Sequence, residues 1–306
     1  MKKKSLLAAA ALTAVGALAL AGCSNPNSNS GSGSGSSSSS PIVVGSANFP
    51  ESQLLGTIYQ QALQAKGIKV TTKFNIGSRE IYLKALGDGS IDLLPEYNGA
   101  LLADLDAKST ATSPTAVYKA LQSVMPKGII TLPQSDAQDK DTLSVTKATA
   151  DKYNLKTIAD LKPVADQLTI AAGPEFAERQ QGILGLKSLY GITFKTFSPL
   201  DAGGPLTLAA VTGGQAQVGD IFSTDPAIKT DNLVSLTDTK DLFTSQNILP
   251  IVRKSKASST VKSALNGVSK VLTTTDLTEY NKEITVDKKS YSTVAAEFIK
   301  KYNLGK

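Results

Sequence analysis

Residues 85–99 read ALGDGSIDLLPEYNG, and this stretch decides the fold class. It joins the end of a predicted helix, residues 78–86, through a glycine turn to a short apolar strand, residues 91–94. The order helix, turn, strand continues upstream, so the opening is a β-α-β-α-β unit, which is typical of an α/β protein. Its other predicted elements are a strand at residues 42–45, a helix that begins near residue 50, and an alternating strand at residues 68–74.

A second α/β set follows downstream. Residues 134–140 are polar and predict a crossing between two lobes. The second set is predicted to begin at residue 143 and to contain a long helix at residues 175–190 and a strand at residues 192–197. Strand 248–252 is predicted to return to the first lobe, and apolar stripes predict a helical tail that packs on the core. The predicted lobes are residues 42–140 plus 246–306 and residues 141–245.

This organisation predicts two α/β lobes joined by two crossings, with a C-terminal helical segment. Ligands of open α/β sheets bind beyond the carboxyl ends of the strands. We therefore predict a binding cleft where the strand ends of the two lobes face each other.

The first 22 residues predict a secretory signal of the lipoprotein type. Three lysines precede a mostly apolar stretch, and the tetrapeptide LAGC ends at Cys23, which is the order of such a signal. A spanning helix needs about 20 apolar residues, so a transmembrane anchor is the weaker interpretation. We predict cleavage before Cys23, lipidation of its thiol, and a flexible Ser/Gly linker over residues 23–41 with a reach of about 20–25 Å. The predicted location is the extracytoplasmic face of the cell membrane.

Composition argues against several classes of function. The chain has no histidine and one cysteine, which excludes histidine-based catalysis, histidine zinc sites and an intrachain disulfide. The net charge of +6 falls to +3 without the three signal lysines, which is too mild to predict nucleic-acid binding. No phosphate-binding Gly-x-x-x-x-Gly-Lys-Ser/Thr motif is present, so any ATPase is a separate polypeptide. We predict no enzyme activity, no cofactor and no metal, and we expect a monomer.

Three motifs resemble the solute-binding proteins of importers for glycine betaine, carnitine and choline. They are GSANFPESQLLG at residues 45–56, GSRE at residues 77–80 together with residues 85–99, and FSTDP at residues 222–226. In order and spacing the motifs cover nearly all of residues 41–306. The resemblance implies a type 2 periplasmic-binding-protein fold of the Venus-flytrap shape. It also implies a receptor that delivers an osmoprotectant to a membrane permease powered by a separate ATPase.

The resemblance also implies a ligand cage built largely from tyrosines. A quaternary ammonium cannot donate a hydrogen bond, so aromatic faces hold it. By motif, Tyr97 and Phe222 take two cage positions, whereas Thr142 and Leu206 stand where two further tyrosines are expected. Two rings instead of four would lower the attraction for the cation by roughly 1–3 kcal/mol. The other candidate ligand-binding residues are Asn48, Phe49, Ser78, Arg79, Glu80, Asn98 and Thr224.

The leading hypothesis is an extracytoplasmic lipoprotein that captures a glycine betaine-, choline- or carnitine-like solute and delivers it to ABC permease subunits. The reduced cage leaves open a receptor of the same class for a solute that is not a quaternary ammonium. A secreted hydrolase and a structural lipoprotein are the alternatives from other classes. The predicted partners are the small-molecule solute, the permease subunits and the membrane lipid.

Overall fold

A computed structural model of the protein describes residues 40–305. The predicted signal peptide, Cys23 and nearly all of the predicted linker lie outside the described residues. Within residues 40–305, ten strands form two five-stranded sheets. The strands are β1 (Ile42–Gly45), β2 (Val70–Lys73), β3 (Leu93–Tyr97), β4 (Ile129–Thr131), β5 (Asp141–Thr146), β6 (Thr169–Ala172), β7 (Thr196–Pro199), β8 (Val218–Phe222), β9 (Leu233–Ser235) and β10 (Ile248–Arg253).

The two sheets share one topology. The first has the order β2-β1-β3-β10-β4 and the second the order β7-β6-β8-β5-β9. In each sheet the first three strands in this order are parallel and the fourth is antiparallel to both of its neighbours. The chain supplies each antiparallel strand as it arrives from the other sheet, so two crossings join the sheets. We call the part built on the first sheet lobe 1 and the part built on the second sheet lobe 2. This is the predicted bilobal α/β architecture.

Helices cover both faces of the sheet in lobe 1. Neighbouring side chains of a strand point to opposite faces, and Leu93 and Leu94 accordingly belong to two separate hydrophobic cores. Full burial of a leucine stabilises the fold by about 1.5–3 kcal/mol. Over residues 40–305, the α-helices of the two lobes together are α1 (Pro50–Ala65), α2 (Arg79–Asp88), α3 (Asn98–Leu105), α4 (Pro114–Val124), α5 (Lys147–Tyr153), α6 (Ile183–Gly185), α7 (Pro205–Thr212), α8 (Ala227–Thr230), α9 (Ser259–Val271), α10 (Thr274–Thr285) and α11 (Tyr291–Lys301).

The helical tail belongs to lobe 1. Helices α9 and α11 pack against α1, and the predicted stripe of Val261, Leu265, Val268 and Leu272 is buried in the same core as Leu93. The prediction that this stripe makes core contacts is therefore confirmed. Among the described residues, the helices are too short or too polar for any of them to cross a bilayer.

The predicted continuous helix over residues 175–190 is wrong. The chain instead forms a 3₁₀ turn at Pro174–Ala177, the short α6, and a π-helical turn at Leu186–Tyr190. A tight loop at Gly182 interrupts the helix. The backbone of Gly182 lies so close to the carbonyl oxygen of Phe176 that a Cβ would come within 2.1 Å of it. The predicted strand at residues 192–197 also begins later in the structure, as β7.

Candidate functional site

A cleft lies between the two lobes. Its outer part holds about 560 Å³ and a narrower inner part about 60 Å³. Residues from both lobes line both parts, and because eight residues are common to the two parts, they form one continuous site. The residues shared by the two parts are Ser78, Arg79, Ala100, Asp141, Glu175, Arg179, Ala202 and Phe222.

Aromatic rings from the two lobes meet in the inner part of the cleft. Phe49 lies at the start of α1 in lobe 1, and its ring centroid is 5.2 Å from that of Phe222 in lobe 2, in an edge-to-face arrangement. The Phe49 ring is also 5.9 Å from the ring of Tyr97, which ends β3. Tyr82 of α2 is a fourth ring on the wall. The inner part therefore has four rings, three of them from the predicted candidates Phe49, Tyr97 and Phe222.

A glycine supports Phe222 from behind. Gly203 has a φ of 54°, and a Cβ at this position would come within 2.5 Å of the Phe222 ring. Glycine adopts this left-handed conformation without steric cost and leaves free the space that a side chain would fill. The loop before α7 can therefore lie directly against the ring and hold it toward the cleft.

Buried carboxylates orient the tyrosines. The Tyr97 hydroxyl donates to Oε1 of Glu51 at 2.7 Å, and the Tyr82 hydroxyl donates to Oε1 of Glu96 at 2.5 Å. Burial raises the pKa of both phenols, and the nearby carboxylates add to the shift for Tyr97. Both tyrosines therefore remain neutral and present uncharged rings.

Arg79 forms a buried ion pair in the wall of the cleft. Its Nε and Nη2 donate to the two oxygens of Glu96 at 2.6 and 3.1 Å. Burial alone would lower the pKa of Arg79, but the adjacent Glu96 carboxylate outweighs burial and raises it. The guanidinium is thus permanently charged and its charge is compensated.

A second ion pair closes the cleft at its outer rim. Arg179 of lobe 2 donates from Nη2 to Oε1 of Glu80 in lobe 1 at 3.0 Å. Ser78 also donates to Glu80, at 2.5 Å, instead of capping α2 with its side chain. Partial burial opposes ionisation of Glu80, but the bonds from Ser78 and Arg179 lower its pKa overall.

A buried network joins the lobes beside the rings. Glu51 of α1 is 4% exposed, and its Oε2 accepts bonds from the Thr224 hydroxyl and the Asn281 amide, both at 2.6 Å. Thr224 follows β8 in lobe 2, whereas Glu51 and Asn281 belong to lobe 1. Burial raises the pKa of Glu51 despite these donors.

Carboxyl groups dominate the side of the cleft that lobe 2 forms. Asp139, on the crossing into β5, accepts bonds from the Ser223 hydroxyl and the Thr224 amide, both at 3.0 Å. Asp220 in β8 is 3% exposed, and its Oδ1 has no hydrogen-bond partner. Burial raises the pKa of Asp220 well above its ordinary value, and the charges of Asp141 and Glu175 add to the shift. Among residues 40–305, no group of three or more carboxylates or thiols is placed to hold a metal ion.

The structure brings seven of the predicted site residues to the cleft and leaves four away from it. The seven are Asn48, Phe49, Ser78, Arg79, Glu80, Tyr97 and Phe222. The four are Asn98, Thr142, Leu206 and Thr224, and each has a structural reason to lie elsewhere.

Strand alternation turns Thr142 away from the cleft. Thr142 follows Asp141 in β5, and neighbouring side chains of a strand point to opposite faces. Asp141 therefore lines the cleft, whereas the Thr142 hydroxyl bonds the Ile221 carbonyl and Ser144 at 2.6 and 2.9 Å. Leu206 is 60% exposed to solvent in the first turn of α7.

The other two predicted residues hold the framework. Asn98 begins α3, and its side chain bonds Gln134 and the backbone amide of Asn247, which lie on the two crossings. Thr224 bonds Glu51 in the buried network and lies behind the rings. Both residues therefore secure the region between the lobes without reaching the cleft.

Sequence reasoning missed further residues of the wall, among them Tyr82, Asp139, Asp141, Asp220 and Gln246. A usable signal existed for Asp220, because an aspartate in the middle of the apolar strand VGDIF has to be buried. Tyr82 lies four residues after Ser78 on the same helix and so shares its face. No comparable local signal marked Gln246, which reaches Asp141 at 3.0 Å from the second crossing.

A ring-lined cleft between two α/β lobes with exchanged antiparallel strands defines the class of bilobal solute-binding proteins. The chain belongs within this class to the family described as the substrate-binding domain of ABC-type glycine betaine transport systems, whose sequence profile matches residues 40–301.

Individual relatives agree with this family. The chain is 27% identical over 310 residues to a carnitine transport binding protein of Listeria monocytogenes, covering 99% of this chain and 98% of that protein. It is 26% identical over 276 residues to a glycine betaine-binding protein of Escherichia coli, covering 85% of this chain and 90% of that protein.

Solved structures agree with the fold. A glycine betaine/carnitine/choline ABC transporter structure superposes with a TM-score of 0.67 at 24% identity, covering 87% of this chain and all of that chain. A choline-binding protein of an ABC transporter in complex with choline superposes with a TM-score of 0.66 at 17% identity, covering 86% and 89%. At these identities the likeness establishes the fold alone.

Proposed function

We propose that this protein is the extracytoplasmic receptor of an ABC importer and that it captures a small glycine betaine-, choline- or carnitine-like solute in the interlobe cleft. The edge-to-face pair of Phe49 and Phe222 carries this proposal, because the two rings come from different lobes. A cation that contacts both rings gains about 0.5–2 kcal/mol from each of them. It gains the contribution of both lobes only when the lobes are together, so binding favours closure.

Closure is the event that a permease can recognise. We propose that the lobes are residues 42–140 plus 246–306 and residues 141–245, and that they rotate about the two crossings. Asn98 supports this role of the crossings because its side chain bonds both of them. The permease and its ATPase are separate polypeptides, and the receptor itself performs binding and delivery.

The lipid anchor completes the proposal. Cleavage before Cys23 and lipidation of its thiol would hold the receptor within about 20–25 Å of the membrane surface through the linker. Tethering raises the effective concentration of receptor at its permease. Cys23→Ser is expected to move the protein from the membrane fraction to the soluble fraction, as judged by immunoblotting. Retention of Cys23→Ser in the membrane fraction at the wild-type level would contradict the anchor.

A titration and a scattering measurement together test the receptor proposal. Isothermal titration of the purified protein with glycine betaine, choline and carnitine should give one-to-one binding for at least one of them. Small-angle scattering should show that the same solute reduces the radius of gyration. Failure of all three solutes to bind would refute the quaternary-ammonium assignment. Binding without any change in the scattering would refute closure.

The carboxyl-rich wall favours a second candidate within the same class. Asp141, Glu175 and Asp220 offer hydrogen-bond acceptors that a fully methylated ammonium group cannot use. A receptor for a cation that carries N–H groups would use them. Titration with primary amines of the same size distinguishes this candidate from the first.

A further inference from the structure

Carboxyl groups outnumber guanidinium groups on the wall of the cleft. Two guanidinium groups, of Arg79 and Arg179, face the cleft, and each is already paired with a carboxylate. Besides Glu80, the partner of Arg179, six more carboxyl groups line the two parts of the cleft. They are Asp104, Asp139, Asp141, Glu175, Glu178 and Asp220.

Asp220 is a buried carboxyl group, and one of its oxygens lacks a partner. It is 3% exposed, it lines the outer part of the cleft, and its Oδ1 accepts no hydrogen bond. A buried acceptor left unsatisfied is costly, and such groups in native proteins call for an explanation. A group supplied by a ligand would satisfy this oxygen.

The backbone fixes where that group would lie relative to the rings. Asp220 and Phe222 are two residues apart on β8, so their side chains point to the same face at a spacing of roughly 6–7 Å. Asp141 lies directly opposite Phe222 on the antiparallel strand β5, and residues paired in this way share a face. The ring of Phe222 therefore has carboxyl groups on two sides.

We propose that Asp220, together with Asp141 and Glu175, forms a subsite for a cationic or hydrogen-donating group, so that the solute is a small organic cation without a carboxylate. The inference rests on the proposed receptor function and adds the charge of the solute to it. One end of the solute lies against the rings, and a donor at the other end bonds Asp220. A zwitterion such as glycine betaine would instead bring a carboxylate beside carboxyl groups, and like charges at this spacing repel.

The two arginines do not reverse this preference. A guanidinium has five N–H donors, so Arg79 can still donate after it has bonded Glu96. Its positive charge, however, is compensated by that carboxylate, and the charge of Arg179 is compensated by Glu80. The elevated pKa of Asp220 agrees with a site of excess negative charge that a cation would relieve.

Four solutes that differ in two features test the inference. Choline and glycine betaine share a trimethylammonium head, and ethanolamine and glycine are their unmethylated counterparts. Titration of the purified full chain at neutral pH compares hydroxyl with carboxylate within each pair, and methylated with unmethylated heads between the pairs. We expect choline to bind about 10- to 100-fold more tightly than glycine betaine.

Two variants assign the preference to its residues. Asp220→Asn should reduce the preference for choline over glycine betaine to less than about threefold, and Glu175→Gln should reduce it by a smaller factor. Asp166→Asn is the matched control, because Asp166 is an exposed aspartate of lobe 2 outside the cleft lining. It should leave the preference unchanged.

The outcomes separate the two proposals. Glycine betaine binding as tightly as choline would overturn the cation subsite and leave the receptor function intact. Ethanolamine binding as tightly as choline would overturn the quaternary-ammonium assignment and leave the subsite intact, provided that glycine binds weakly. Binding of none of the four would contradict both proposals. An unchanged preference in Asp220→Asn would also overturn the subsite.

Discussion

Replacing Asp220 with asparagine should stabilise the ligand-free protein at neutral pH. The side chain is 3% exposed and one of its oxygens has no partner, so its ionised form lacks solvation that water would give. Burial, followed by the charges of Asp141 and Glu175, raises its pKa in the folded state. The asparagine amide would also lack a partner, but it keeps the shape of the aspartate and removes the charge; leaving a buried polar group unsatisfied costs about 1–3 kcal/mol, and more when the group is charged. We expect a gain in the free energy of unfolding of this size.

The stabilisation of the protein by Asp220→Asn should depend on pH. An aspartate whose pKa is higher in the folded than in the unfolded state binds more protons when folded, so the protein loses stability as pH rises. The loss begins near the unfolded pKa of about 3.9 and is complete above the folded pKa. The advantage of Asp220→Asn should therefore be smallest near pH 4 and should grow to a plateau at higher pH.

Thermal unfolding measures this advantage. Each 1 kcal/mol shifts the melting temperature by about 2–4 °C in a domain of this size, so melts of wild type and Asp220→Asn across this pH range should diverge by several degrees. Asp166→Asn, at an exposed position, should follow wild type throughout. A difference between wild type and Asp220→Asn that is independent of pH, or a lower melting temperature for Asp220→Asn at pH 8, would refute the reasoning.

Three further predictions concern contacts between the lobes. Phe222→Ala should weaken binding of a quaternary ammonium by about 2- to 30-fold through the lost ring, whereas Phe222→Tyr should bind normally in the same titration; equal binding by all three proteins would contradict a ring contact. Arg179→Gln breaks the half-exposed ion pair with Glu80 and should destabilise the contact between the lobes by less than about 1 kcal/mol. The radius of gyration of the ligand-free protein should then increase slightly at low salt and not at high salt. A large increase at both salt concentrations would contradict the weak contribution expected of a surface ion pair. Glu51→Ala leaves three buried donors unsatisfied and should lower the free energy of unfolding by about 3 kcal/mol or more. Glu51→Gln should lower it by less. Denaturant unfolding measures both effects, and an alanine variant as stable as wild type would contradict the prediction.

Regular elements of this chain could be predicted where a single period dominated the sequence. The stripe at residues 261–272 repeats every three to four residues, and it forms one face of α9 in the core. Residues 175–190 were also predicted to form a helix, yet no continuous helix forms there. Close backbone packing at Gly182 breaks it, and such packing depends on residues that are distant in the sequence.

The candidate site was predictable where a motif placed a residue at the end of a strand or at the start of a helix. Tyr97 and Phe222 end β3 and β8, and both line the cleft. Thr142 was one residue away from the position that faces the cleft, because a shift of one residue along a strand moves a side chain to the opposite face. Phe49 was a candidate by position alone, and only the structure shows its ring against rings from both lobes.

The sequence by itself determined the alternation of strands and helices, the family and the motif positions of Tyr97 and Phe222, because these depend on local periodicity and on short motifs. The tertiary structure decided the charge of the site. The partners Arg79 and Glu96 are 17 residues apart, Arg179 and Glu80 are 99 residues apart, and nothing local links them. Since each cation finds its carboxylate only after folding, the excess of acidic groups around Asp220 could be seen only once both lobes were in place.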